Sequence, residues 1–204
     1  MSALFYKIVY RFGFTPWERL ETFPAAQQAL AMIDREEDGR LPPFGPALDI
    51  GCGTGVWSVR LATRGWQVTG IDMIARAIRS ARKRAEEAAV EVRFIHADIT
   101  ELQAGDLDPG YRLILDFGTV HGLNPARRAA VGRLVTAVAA PDATLLMYSL
   151  SPARRRLLPD GVGRAEIEAI YPGWEIVEEQ AFDPSGLPEP TRKDDPRWYR
   201  LRRR

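Results

Sequence analysis

The chain has 204 residues, 46% of them hydrophobic, enough for one compact domain with a substantial core. Its 28 Lys and Arg offset 27 Asp and Glu to a net charge of +1, so no overall field draws it to nucleic acid or to an anionic membrane. One cysteine, Cys52, and two histidines, His96 and His121, exclude a disulfide framework and leave too few soft ligands for a structural metal, with the cytoplasm as the default compartment.

The leading segment carries apolar residues at Leu4, Phe5, Ile8, Val9 and Phe12, one helical stripe broken by Lys7, Tyr10 and Arg11. A secretory core would be unbroken, and no run approaches the roughly 20 apolar residues that cross a bilayer. The stripe reads as an amphipathic helix covering part of the domain. The expectation is a single domain over residues 1–204, with covering helices in 1–40 and an α/β core in 41–204.

After "LPPFGP" the pattern alternates. The bursts "PALDI", "WQVTGI", "VRFI", "RLILDF" and "ATLLMYS" read as buried strands bounded by turn residues. Between them, Ile74, Ala77, Ile78 and Ala81 share one helix face, and Val131, Leu134, Val135 and Val138 share another. Strands alternating with helices imply a parallel sheet with right-handed crossovers and helices on both faces. Past a helix near Arg164 to Ile170, "GWEIVEEQAF" and "RWYRLRR" are separated by a segment too proline-rich for a crossover helix, so they should pair antiparallel.

The first strand runs into "ALDIGCGTGVWS". In an open parallel sheet a ligand sits beyond the carboxyl ends of the strands, where the winding reverses. A dinucleotide fingerprint reads G-x-G-x-x-G, whereas Gly51, Gly53 and Gly55 give G-x-G-x-G with Val56 next. Asp49, just before the glycines, would repel a phosphate and pair with a cationic amino group. Asp72 ends the second strand about twenty residues on, at the position that accepts from ribose hydroxyls. Asp98, in "HADIT", ends the third strand, where a side chain reaches an adenine amino group. Three carboxylates at consecutive strand ends suit adenosine with a cationic tail.

"LDIGCGTG", "GIDM" and "HADIT" together resemble successive motifs of the class I S-adenosylmethionine-dependent methyltransferases, from about Ala47 to Ser149 and on through the terminal strand. The resemblance implies a doubly wound, Rossmann-like, mostly parallel seven-stranded sheet with an antiparallel C-terminal strand. It implies S-adenosyl-L-methionine as cofactor, with Asp49, Gly51, Cys52, Gly53 and Gly55 at the methionine moiety, Asp72 and Met73 at the ribose, and Asp98 and Ile99 at the adenine. Cys52 reads as a small filler of the loop without chemistry of its own. Asp116, ending the fourth strand, touches the cofactor through its backbone or orients the following loop. "RFGFTPWE" resembles the G-x-T-P-W segment of thiopurine and thiol methyltransferases, which implies that Thr15, Pro16 and Trp17 form an aromatic wall over the cofactor, where Trp17 meets the sulfonium by cation–π attraction.

Methyl transfer needs an aligned acceptor, exclusion of water and removal of any acceptor proton. His121, five residues past Asp116, titrates near neutrality and reads either as the general base or as a cap on its loop. His96 reads as structural. The fourth strand ends in "DFGT" rather than the [DN]-P-P-[YF] of amino-methylating DNA enzymes, and the basic clusters "ARRR" and "RLRRR" read as solvated surface. The acceptor expected is therefore a small aromatic or apolar molecule methylated on a thiol, hydroxyl or ring nitrogen. A non-catalytic module binding the cofactor or its demethylated product stands as the alternative, as does a methyltransferase for RNA or protein.

Overall fold

The computed structural model describes residues 24–121, 123–150, 152, 161–185 and 195–204. Seven strands form one sheet in the order β3-β2-β1-β4-β5-β7-β6. They are β1 (Gly45–Ile50), β2 (Trp66–Asp72), β3 (Val92–His96), β4 (Tyr111–Asp116), β5 (Ala139–Ser149), β6 (Trp174–Ala181) and β7 (Arg197–Arg203). The first five pair in parallel, and β7 inserts between β5 and β6 antiparallel to both. The expected hairpin is thus present, with its second strand next to the parallel set. Every expected strand appears; β5 begins earlier than "ATLLMYS", at Ala139.

The helices are α1 (Pro24–Glu37), α2 (Val56–Arg64), α3 (Ala75–Glu87), α4 (Pro125–Val138) and α5 (Arg164–Ile170). α1 buries Ala25, Ala29, Met32 and Ile33, the i, i+4, i+7, i+8 stripe of a helix laid on a core. α2 stops at Gly65, whose left-handed backbone returns its amide to the carbonyls of Ala62 and Leu61. α4 starts on Asn124, whose side chain accepts from the Arg127 amide, with Pro125 in the first turn.

Strand alternation sorts the core into two layers. Ala47, Leu113, Leu115 and Leu146 pack with Met32 and Ile33 of α1 and Leu61 of α2. Leu48, Ile50, Ile114, Leu145 and Met147 face the other way, against Val131, Leu134 and Val135 of α4 and Ile167 and Ile170 of α5. Alanines let α3 approach α2 and β3, where Ile78, Ala81 and Ala85 meet Val59 and Phe94.

Two acidic residues fix α1 over the sheet. Glu36 accepts from Thr144 Oγ1 at 2.8 Å and from Arg200 Nε at 2.7 Å. Glu37 accepts from Arg64 Nε at 2.9 Å and from Trp66 Nε1 at 2.8 Å. Charge-assisted bonds of this kind are among the stronger ones in a fold, because one partner is ionised and the site is partly dry.

α4 and α5 pack so closely that a Cβ at Gly132 would lie 1.8 Å from the carbonyl oxygen of Ile170. Backbone cannot yield as a flexible side chain does, so the helices would have to separate. Gly132→Ala should destabilise the protein by about 2–4 kcal/mol, read as a lowered midpoint in urea unfolding at unchanged slope. An unchanged midpoint would mean that α5 is not held this tightly.

Candidate active site

A cavity opens at the carboxyl end of β1, on the layer that carries α1 and α2. Its floor is Asp49, Gly51, Cys52, Gly53 and Thr54, and Val56 and Trp57 of α2 flank it. Its far side is aromatic: Phe117 after β4, Tyr148 on β5, Phe182 after β6 and Trp198 on β7, with Ala25 and Ala26 of α1 at the edge.

The glycine loop owes its shape to residues outside it. Gly51 has φ +68°, and a Cβ there would lie 2.1 Å from Thr119 Oγ1, which donates to the Ile50 carbonyl at 2.6 Å. Only glycine lets Thr119 cross the strand end that closely. Gly55, with φ +78°, does not line the cavity; a Cβ there would lie 2.8 Å from that of Ala81, so its bareness serves the approach of α3. Arg84 Nε of α3 donates to the Thr54 carbonyl at 3.1 Å and holds the loop from outside.

Asp49 is 4% exposed and accepts from Ser58 Oγ of α2 at 2.5 Å. Burial pushes its carboxyl up to about 7, against the pull of the Ser58 hydroxyl, and the charges of Asp72 and Asp116 add to the rise. Near neutrality this group is poised between its acid and its anion, ready to ionise beside a cation. Thr54 is in the same lining, and its hydroxyl is buried without a hydrogen-bond partner among the described residues. A lining with a buried carboxyl and a hydroxyl still to be satisfied fits a ligand end bearing both an ammonium and a carboxylate.

Asp72 accepts from the Gly53 amide at 2.9 Å through one oxygen and from the Ile74 amide at 2.7 Å through the other. Met73 is half-buried beside Ile74 and Ala77, and Ile99 is in the main core. Asp98, the third of the strand-end carboxylates, is engaged by side chains of the protein itself. One oxygen accepts from Thr100 Oγ1 at 2.8 Å, the other is ion-paired with Arg127, and these bonds outweigh burial to hold the group below the usual carboxylate range. Of the three strand-end acids, Asp49 alone lines the cavity.

Asp116 faces the opposite layer. Fully buried, it accepts from the Thr119 amide at 2.8 Å and from Tyr171 Oη at 3.4 Å, and burial pushes it up to about 6. It shapes the loop after β4, the second of its two expected roles. His121 is 4% exposed; its Nε2 accepts from the Leu150 amide at 3.2 Å and lies 3.3 Å from Ser149 Oγ. This geometry ties the loop after β4 to the end of β5, and taking a proton at Nε2 would require giving up Leu150. His96 ends β3 in an exposed position, its Nε2 3.2 Å from the Met73 carbonyl. Burial pushes the Cys52 thiol well above its ordinary value, consistent with a filler. Trp17, with Thr15, Pro16 and Phe14, lies outside the described residues.

Sequence reasoning missed most of the aromatic wall. Phe117 touches Trp57 at 5.1 Å and Trp198 at 4.9 Å between ring centres; Tyr148 touches Phe182 at 5.0 Å and Trp198 at 5.5 Å. These five rings come from five separate segments, and Tyr148 meets Trp198 because the two are register partners across β5 and β7. Gln28 of α1 secures the hairpin, accepting from Trp198 Nε1 at 3.2 Å and from the Asp183 amide at 2.8 Å.

The raised acids carry a stability cost with a definite sign. A carboxyl whose folded value lies above its unfolded 3.8 binds protons more tightly when folded. Its contribution is fully present below about 4 and is lost as pH rises through about 7. Asp49→Asn should therefore stabilise the protein at pH 8 by about 1–3 kcal/mol, raising the thermal midpoint by about 2–4 °C for each kcal/mol, and the gain should shrink towards pH 5. A midpoint difference independent of pH would show that Asp49 is not buried as an acid.

A sequence model of the methyltransferase domain family matches residues 47–142. A ubiquinone biosynthesis O-methyltransferase of Caulobacter sp. (strain K31) is 37% identical over 84 residues, 41% of this chain and 33% of that relative. The chain thus spans about a third of the length of that curated relative. The magnesium protoporphyrin IX methyltransferase of Synechocystis PCC 6803 with bound S-adenosylmethionine has a similar fold, with TM-score 0.73 at 20% identity over 100% of both chains. So does the 1,6-didemethyltoxoflavin-N1-methyltransferase of Burkholderia thailandensis, with TM-score 0.72 at 18% identity over 96% of this chain and 84% of that one. Residues 47–142 are thus similar to the methyltransferase domain family, and the seven-stranded sheet has the fold of solved methyltransferases, one of them with S-adenosylmethionine bound.

Proposed function

We propose that the protein is an S-adenosylmethionine-dependent methyltransferase whose acceptor is a small molecule with a thiol, hydroxyl or ring-nitrogen nucleophile. The observation that carries this reading is the pairing of buried Asp49 with the unpartnered Thr54 hydroxyl under a glycine loop, in a cavity that continues into an aromatic wall. The family match over residues 47–142 supports it. Bound there, the cofactor would supply an electrophilic methyl carbon, leaving its sulfur with the bonding pair and S-adenosylhomocysteine as product.

The protein's share of the work is binding and alignment. Asp49, ionised, pairs with the amino group, and Ser58 keeps the carboxylate aimed into the cavity. Thr54 Oγ1 donates to the carboxylate end. Asp72 takes the ribose hydroxyls while it fixes the Gly53 and Ile74 amides. Trp57, Phe117 and Tyr148 exclude water from the acceptor side. His121 and Asp116 hold the loop that presents Phe117. The small-molecule acceptors named for the toxoflavin and protoporphyrin enzymes of the same fold are in keeping with a cavity of this kind.

Calorimetric titration with S-adenosylmethionine tests the reading, and so does transfer of radiolabelled methyl to a panel of thiols, phenols and heterocycles. Binding should be saturable at micromolar cofactor. Because the ammonium needs the Asp49 anion, affinity should fall as pH drops below about 7, by up to tenfold per unit. Asp49→Asn should bind weakly at every pH. A folded sample silent at millimolar cofactor would remove the proposal, and binding without transfer to any acceptor would turn it into a sensor.

A further inference from the structure

The glycine loop is met at Gly51 by the loop that follows β4. Thr119 reaches across to the end of β1, its hydroxyl donating to the Ile50 carbonyl at 2.6 Å, while its own amide donates to Asp116 at 2.8 Å. Asp116 is the register partner of Ile50, so these two bonds close a bracket between neighbouring strand ends. The Gly118 amide donates to the same Asp116 oxygen at 3.3 Å and adds a weaker hold. Thr119 is therefore anchored on β4 and presses on β1.

Its pressure falls on a residue of the cavity lining. A Cβ on Gly51 would stand 2.1 Å from Thr119 Oγ1, 3.2 Å from its Cβ and 3.4 Å from its Cγ2, so the whole side chain packs on the bare glycine. Gly51 lines the cavity with Asp49, Gly53 and Thr54. The Ile50 carbonyl and the Gly51 amide belong to one planar peptide, so turning the first turns the second. Ile50 is 1% exposed, and a buried carbonyl deprived of a donor swings its peptide towards another partner. We propose, on the basis of the methyltransferase reading, that Thr119 is a positioning residue of the cofactor site, whose hydroxyl holds the Ile50–Gly51 peptide at the angle that S-adenosylmethionine needs. The loop that carries Thr119 also brings Phe117 into the cavity, so one residue registers the aromatic side against the glycine loop.

The test titrates the full chain and three variants with S-adenosylhomocysteine, with urea midpoints measured alongside. Thr119→Ser keeps the hydroxyl and should bind within about twofold of the unmutated chain. Thr119→Ala loses it and should bind about three- to tenfold more weakly, the range set by one hydrogen bond. Thr119→Val puts a methyl where the hydroxyl stood 2.6 Å from the carbonyl oxygen, although carbon needs about 3.3 Å, and should bind at least as weakly as Thr119→Ala. A merely structural residue would lower the midpoint of Thr119→Ala and leave the affinity of the folded sample unchanged, with nothing for serine to rescue. Unchanged affinity in a folded Ala or Val variant overturns the inference, as does a Ser variant weakened as much as Ala. Failure of both Ala and Val variants to fold overturns it too, since the residue would then serve the fold. Each of these outcomes leaves the methyltransferase reading intact, whereas an unmutated chain that does not bind S-adenosylhomocysteine removes both.

Discussion

Burying the carboxyl of Asp49 beneath the glycine loop costs free energy that the Ser58 hydroxyl offsets only in part, since the group still settles near 7. An apolar residue would pack as well at the end of β1, between Leu48 and Ile50, and would spare the domain this cost. The acid makes sense as a group kept short of solvent so that an arriving cation finds few competitors. The surroundings follow from it. α2 must begin close enough for Ser58 to reach, so the loop between β1 and α2 is short, and its backbone must turn through left-handed conformations that glycine alone adopts freely.

The sheet then decides what each neighbouring residue can do. Strand order puts β1 beside both β2 and β4, so Asp49 stands between the strand end that carries Asp72 and the one that leads to Phe117. Alternation along the strands divides the polar residues further. Asp49, Tyr148 and Trp198 share the layer that carries α1 and α2, while Asp116 and Ser149 point to the other. Asp116 is one step away from Asp49 in register, since it pairs with Ile50, yet it reaches Tyr171 rather than the cavity. Two buried acids with raised values thus do different work: one faces a binding site and the other clamps a loop.

This division explains which parts were legible in the sequence. Strands announce themselves locally, and "RWYRLRR" matches β7 at both ends because alternation and flanking turns suffice. The loop glycines, Asp49 and Asp72 were legible because each lies within a few residues of the strand end that places it. The ion pair of Asp98 was not legible, because Arg127 lies on a helix two elements later. The bond that His121 Nε2 accepts from the Leu150 amide, which bears on both readings of that residue, is revealed by nothing near His121. The ring cluster was least legible of all. Its members are scattered from Trp57 to Trp198, and only the β5–β7 register brings Tyr148 and Trp198 together.

The wall's dependence on register has a structural corollary. β7 is held between β5 and β6, and the hairpin is tied to α1 by Gln28 near the cavity, by Glu36 to Arg200 deeper in, and by the ion pair of Arg35 with Glu178. The glycine loop is held by different means, through Ser58 of α2 and Arg84 of α3. The glycine-loop side of the cavity and the aromatic side therefore take most of their supports from different elements, and they meet where Trp57 touches Phe117 and where Thr119 donates to the Ile50 carbonyl. Substitutions in the hairpin or at the first turn of α1 can reshape the aromatic side without disturbing the bonds that set Asp49 and Asp72. A cavity divided in this way lets one side change shape while the other is kept, because the two sides are built mainly from different strands.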